Sequence, residues 1–104
     1  MYARRISVDL KPNTVTDFTD RLEKEVVPIL RKQKGFQDQM EFVAPGGNKV
    51  FTISLWDRKE SAEIFGREVF PQVEKILAKY IDGSPRIETF EVPYSTFHKT
   101  AAHA

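Results

Sequence analysis

The chain has 104 residues, with 16 Lys plus Arg against 15 Asp plus Glu and a formal net charge of +1. That length suits one domain with one core, a near-neutral balance argues against a phosphate-neutralising face and so against nucleic acid, and the absence of cysteine excludes disulfides, thiolate catalysis and zinc fingers. No apolar run approaches the ~20 residues of a membrane span, and Arg4, Arg5 and Asp9 interrupt the start, so a cytoplasmic protein without a membrane partner is expected.

Tyr2 to Leu10 alternates, with Ile6, Val8 and Leu10 on one face and Arg5, Ser7 and Asp9 on the other. A period of two reads as a half-buried strand, and Pro12 ends it. A helix follows. Thr14 and Asp17 make a capping pair, and Val15, Phe18, Leu22, Val26, Ile29 and Leu30 form one apolar stripe. Pro28 falls inside that stripe and predicts a kink. Gly35 is the stop signal.

Two strands come next, Phe36–Ala44 and Lys49–Trp56, joined by the turn Pro45-Gly46-Gly47-Asn48. Alternation in the first places Phe36, Asp38, Met40 and Phe42 together. In the second it sets Phe51, Ile53 and Leu55 against Thr52, Ser54 and Trp56. A second helical region, from about Arg58 to Ile81, takes Asp57 as its cap with Glu60 as box partner. Ala62, Phe65, Val69, Val73, Ile76, Leu77 and Tyr80 make its apolar side. Gly66 and Pro71 divide it into two pieces meeting near Val69-Phe70. Asp82-Gly83-Ser84-Pro85 closes it. The last strand is Arg86–Val92, Pro93 ends the domain at 1–93, and 94–104 is a tail.

The order β-α-β-β-α-β is the ferredoxin-like α+β pattern, an antiparallel sheet with both helices on one face. The other face should be polar if it meets water. Val43, Trp56, Phe90 and Val92 do not all share a face with the remaining core residues, so both faces carry apolar side chains. A twin subunit is the simplest cover, which predicts a homodimer.

Lys34-Gly35-Phe36, the hairpin, Ser54-Leu55-Trp56-Asp57 and Phe65 in the following helix together resemble the antibiotic biosynthesis monooxygenase family, over roughly Arg4 to Pro93. The resemblance implies a homodimeric α+β barrel. It also implies a pocket between sheet and helices for an aromatic or quinol-like molecule, oxidised with dioxygen and no cofactor. The haem-degrading branch uses an Asn, a Trp and a His where this chain aligns Ile6, Phe65 and Glu74, so haem is not expected.

Such chemistry needs an electron-rich substrate anion in an apolar pocket, made by a base or stabilised by polar groups. Asp38, in phase with apolar residues, is the leading candidate base. His98, in the tail with His103, would serve near neutral pH if the tail covers the pocket. Ile6, Val8, Phe65, Phe70 and Tyr80 are the expected pocket wall. Arg4 and Glu91, each in phase with an apolar strand residue, suggest an ion pair. The two His and scattered acids lack metal-ligand spacing, so neither metal nor cofactor is expected. Phosphate-cradling loops, zinc-protease and nucleophile-elbow motifs are absent. The alternative is a non-catalytic dimer of the same fold that binds a small apolar molecule or serves as a structural module.

Overall fold

The computed structural model describes residues 1–96. The chain runs β1 (Tyr2–Leu10), α1 (Val15–Arg21), a π-helical turn (Leu22–Val26), α2 (Val27–Arg31), β2 (Phe36–Val43) and β3 (Lys49–Trp56). It continues through α3 (Lys59–Glu68), α4 (Phe70–Leu77), a 3-10 turn (Ala78–Tyr80) and β4 (Ile81–Glu91). The four strands form one antiparallel sheet in the order β2-β3-β1-β4. This is the ferredoxin-like α+β architecture expected from the alternation of elements. No helix among the described residues is long and apolar enough to cross a membrane.

The register fixes the faces. Tyr2, Arg4, Ile6 and Val8 on β1 oppose Trp56, Ser54, Thr52 and Val50 on β3. The apolar members of this set pack with Phe18, Leu22, Val26, Leu30, Phe65 and Phe70 into the core beneath the helices. Trp56, fully buried, belongs to that core and not to the other face.

Four local expectations change. Thr14 does not cap α1; its hydroxyl donates to the Lys11 carbonyl at 2.7 Å instead. Asp57 does not cap α3, which starts after Arg58 without a side-chain cap. Pro28 is the second residue of α2, which continues the π-helical turn, so the helix runs through it with no break in the helical backbone. The accommodation lies one turn earlier, where the Val27 N–H reaches back five residues to the Leu22 carbonyl. Asp82 to Pro85 do not end the helix. They belong to β4, where the register slips between Ser7 and Asp9 and gathers Gly83, Ser84 and Pro85 into a bulge. Gly83 has a φ of +81°, and a bulge is where a strand tolerates proline.

A second bulge matters more. Phe36 opposes Trp56, but Asp38 opposes Leu55 and Gln39 opposes Ser54. Gln37 is the extra residue. The phase of β2 therefore flips after Phe36. Gln39 and Glu41 turn toward the helices; Asp38, Met40 and Phe42 turn away.

The face without helices is strongly apolar. Phe42 stacks on Phe51 with centroids 4.7 Å apart, and the Arg5 guanidinium lies 4.2 Å over Phe51. Phe42 is 39% exposed and Phe90, near the opposite edge, 46%. Arg5 with Glu88, and Asp9 with Lys49 and Arg86, add ion pairs to this face or its rim.

Candidate functional site

A cavity of about 40 Å³ lies between the sheet and the helices. Its wall is mostly apolar. β1 supplies Ile6 and Val8; α1, the π-helical turn and α2 supply Phe18, Leu22, Val26 and Leu30; α3 and α4 supply Phe65, Phe70, Val73 and Leu77. Into this wall β2 and β3 bring Gln39, Thr52 and Ser54, and α4 brings Glu74. Thr52 and Ser54 are buried, Gln39 is half-buried, and Glu74 is exposed.

Strand alternation explains the polar group. A sheet face packed on helices is normally apolar. Here Thr52 and Ser54 take the inward positions of β3, and the β2 bulge swings Gln39 in beside Ser54. Ser54 is partly spoken for: the Trp56 indole donates to its Oγ at 2.9 Å. Thr52 and Gln39 make no side-chain hydrogen bond within the described residues. Together they offer a hydroxyl and an amide that both donate and accept. They can hydrogen-bond a polar group of a small molecule held against the apolar wall.

Four of the five expected wall residues, Ile6, Val8, Phe65 and Phe70, line the cavity. Tyr80 does not. The 3-10 turn places its ring edge-on to Phe18 at 6.4 Å, in the core beside the cavity. Asp38 does not line the cavity, because the bulge breaks its phase with Phe36; it lines a separate groove between the start of β2 and α2, with Val27, Pro28 and Arg31. Its Oδ1 accepts from the Gln39 N–H at 2.9 Å. His98 and His103 lie outside the described residues. Arg4 and Glu91 do not pair: Arg4 opposes Thr89, and Glu91 opposes Tyr2. No cluster of metal-ligating residues occurs among the described residues.

Two features escaped the sequence. Glu41 shares the inward phase of Gln39 but sits outside the cavity wall, where the Thr19 hydroxyl donates to its carboxylate at 2.9 and 3.0 Å. Burial pushes its pKa up, the Thr19 hydrogen bond opposes this, and Glu23 adds to it. Arg4 is the other. It was readable as an inward residue, but not as a buried one. Its guanidinium stands 5.6 Å from the Phe65 centroid and 5.0 Å from that of Phe70, and burial pushes its pKa down.

No family model matches the sequence, and no curated protein matches it. Solved structures do match its fold. A monooxygenase from the gene ActVA-Orf6 of Streptomyces coelicolor, in complex with nanaomycin D, superposes with a TM-score of 0.78 at 14% identity, covering 94% of this chain and 92% of that one. SnoaB, a cofactor-independent oxygenase from Streptomyces nogalater, gives 0.72 at 10% identity over 91% and 95%. A third structure, described as an antibiotic biosynthesis monooxygenase, gives 0.68 at 15% identity over 88% and 98%. This chain has the fold of the antibiotic biosynthesis monooxygenases.

Proposed function

We propose that this protein, built on the antibiotic biosynthesis monooxygenase fold, binds an aromatic or quinol-like molecule in the cavity between sheet and helices and oxygenates it without a cofactor. The observation that carries the reading is Gln39 and Thr52 facing inward, beside Ser54, in a mostly apolar wall. An apolar pocket with a few convergent polar groups is the usual form of a small-molecule site. The chemistry needs little from the protein. A phenolate with a free para carbon can give an electron to dioxygen and recombine with the resulting superoxide. Loss of water then leaves a quinone, so phenol plus dioxygen becomes quinone plus water with no outside reductant. The pocket's part is to hold the anion and exclude bulk water. Asp38 is outside the wall of that cavity and is given no role in this scheme.

The working unit in this proposal is a homodimer, formed through the face without helices. Phe42, Phe51 and Phe90 on that face support the reading, since a monomer rarely leaves so much aromatic surface in water.

One observation favours the alternative, a non-catalytic binding or structural dimer. The cavity's roughly 40 Å³ is well below the ~300 Å³ at the low end of ligand pockets. A bicyclic ligand enters only if side chains or helices move.

Oxygen uptake with 1-naphthol and dihydroxynaphthalenes separates the two. The oxygenase reading expects quinone and dioxygen consumption in equal amounts above the buffer rate, falling about 10²-fold in Gln39→Leu/Thr52→Val. Binding with uptake at the buffer rate would leave the non-catalytic reading.

A further inference from the structure

Among the described residues no carboxylate answers the charge of Arg4. The residue is 7% exposed, and its Nε is buried with no hydrogen-bond partner. Among the described residues its guanidinium makes no ion pair. Its neighbours are the Phe65 and Phe70 rings. Aromatic faces attract a cation, but they do not replace an oxyanion that accepts its N–H groups.

Helix α3 also runs close against it, at a glycine. A Cβ on Gly66 would meet Arg4 Nη1 at 2.6 Å. Glycine inside a helix is unfavourable. So is a buried cation without a counter-ion, which an apolar side chain often replaces with a gain in stability. Both weaken the fold at one spot. Local rules broken together without a structural return mark a group kept for something else.

The placement says what. Phe65 and Phe70, which flank the guanidinium, both wall the cavity. Arg4 lies opposite Ser54 and one inward position from Ile6, and these line it too. The guanidinium lies 5.6 and 5.0 Å from the centroids of two rings that wall the cavity; Arg4 itself is not in that wall, so a ligand reaches it between the Phe65 and Phe70 rings.

We propose that Arg4 is an anion subsite at the Phe65–Phe70 end of the cavity, and that its ligand is a resonance-stabilised aromatic oxyanion. The proposal rests on the cavity reading above and deepens it. No wall residue is a buried carboxylate or imidazole. Arg4 makes a base unnecessary. A phenol's proton passes to solvent, and the guanidinium holds the phenolate oxygen that remains. The two phenylalanines exclude water and so strengthen that attraction.

The test uses 5-hydroxy-1,4-naphthoquinone, whose colour changes on ionisation, with a chain that has no cysteine to alkylate. Absorbance is titrated against pH for the free probe and for the probe bound to wild type, Arg4→Met and Arg4→Lys. Wild type is expected to lower the bound midpoint by at least about one pH unit, equal to at least tenfold tighter binding of the anion than of the neutral form. Arg4→Met should bind the neutral form, return the midpoint to the free value, and melt no lower than wild type without ligand. Arg4→Lys should keep part of the depression. A lowered midpoint that persists in Arg4→Met overturns the proposal. So does an Arg4→Met protein that fails to fold or melts several degrees lower, which would make the guanidinium a structural piece. An Arg4→Lys midpoint at the free value also overturns it. Wild type binding both forms equally refutes the role of Arg4 alone; wild type binding neither form refutes the cavity reading with it.

Discussion

Replacing Gly35 with alanine should cost far more stability than the same change at Gly46. Gly35 joins α2 to β2 with a φ of +84°, and Gly46 sits in the β2–β3 turn with a φ of +66°. Both are left-handed, and a Cβ there costs about 1–2 kcal/mol. Their surroundings differ. A Cβ on Gly46 meets nothing within 4 Å. A Cβ on Gly35 meets Asp57 Oδ1 and Ser61 Oγ, and lies 2.7 Å from Ser61 Cβ. Ser61 is buried in the first turn of α3, and the Asp57 N–H donates to the Gly35 carbonyl at 2.8 Å. The exposed Asp57 carboxylate can swing aside, but the buried Ser61 Cβ cannot withdraw without moving the helix start. Overpacking of that kind adds about 1–3 kcal/mol. Gly35→Ala should therefore lose roughly 2–5 kcal/mol, and Gly46→Ala only about 1–2 kcal/mol. Urea denaturation followed by circular dichroism gives both values. In a domain of this size each kcal/mol corresponds to about 4–8 °C in Tm. Equal losses in the two variants would refute the argument that contact with α3 sets Gly35 apart.

Ser54→Ala leaves the buried Trp56 indole without its acceptor, which should cost about 1–3 kcal/mol and alter the emission of the chain's single tryptophan; unchanged stability and emission would count against that bond. Glu41 has a raised pKa in the fold, so the folded state binds its proton more tightly than the unfolded chain. Its contribution is most favourable at low pH, and stability is lost as pH rises from the unfolded carboxylate value through the folded one. Urea midpoints between pH 4 and pH 7 should show this drift in wild type and less of it in Glu41→Gln; an identical drift in both would sink the assignment. Phe42→Asp/Phe90→Asp should sediment as a single 12.0 kDa chain where wild type sediments at twice that mass; an unchanged mass would place any interface elsewhere.

The fold was readable because its signals are local and periodic. β1 alternates over its whole length, Pro71 marks the break between α3 and α4, and Pro45-Gly46-Gly47-Asn48 punctuates the hairpin. Four of five wall residues followed from that pattern. The errors in strand facing and strand extent share one cause. A bulge carries no alternation signal of its own, yet it inverts every residue beyond it. Gln37 thus moved Asp38 out of phase with Phe36 and brought in Gln39, which sequence periodicity had set facing the other way. Gly83 to Pro85 hid a second bulge, because glycine, serine and proline read more naturally as a turn. The isolation of Arg4 was unreadable for another reason. The absence of a counter-ion is a property of three-dimensional packing, and Gly66 reads as a helix breaker until its contact with the guanidinium is seen.

In the proposed function a dimer of this chain holds an aromatic molecule between sheet and helices. Native mass spectrometry with 1,5-dihydroxynaphthalene, followed by the same sample denatured, tests it most directly. The expected species has twice 12.0 kDa and carries up to two ligands, which are lost on denaturation and fail to bind Thr52→Trp, where the cavity is filled. A monomer, or a dimer that stays bare at saturating ligand, would contradict it.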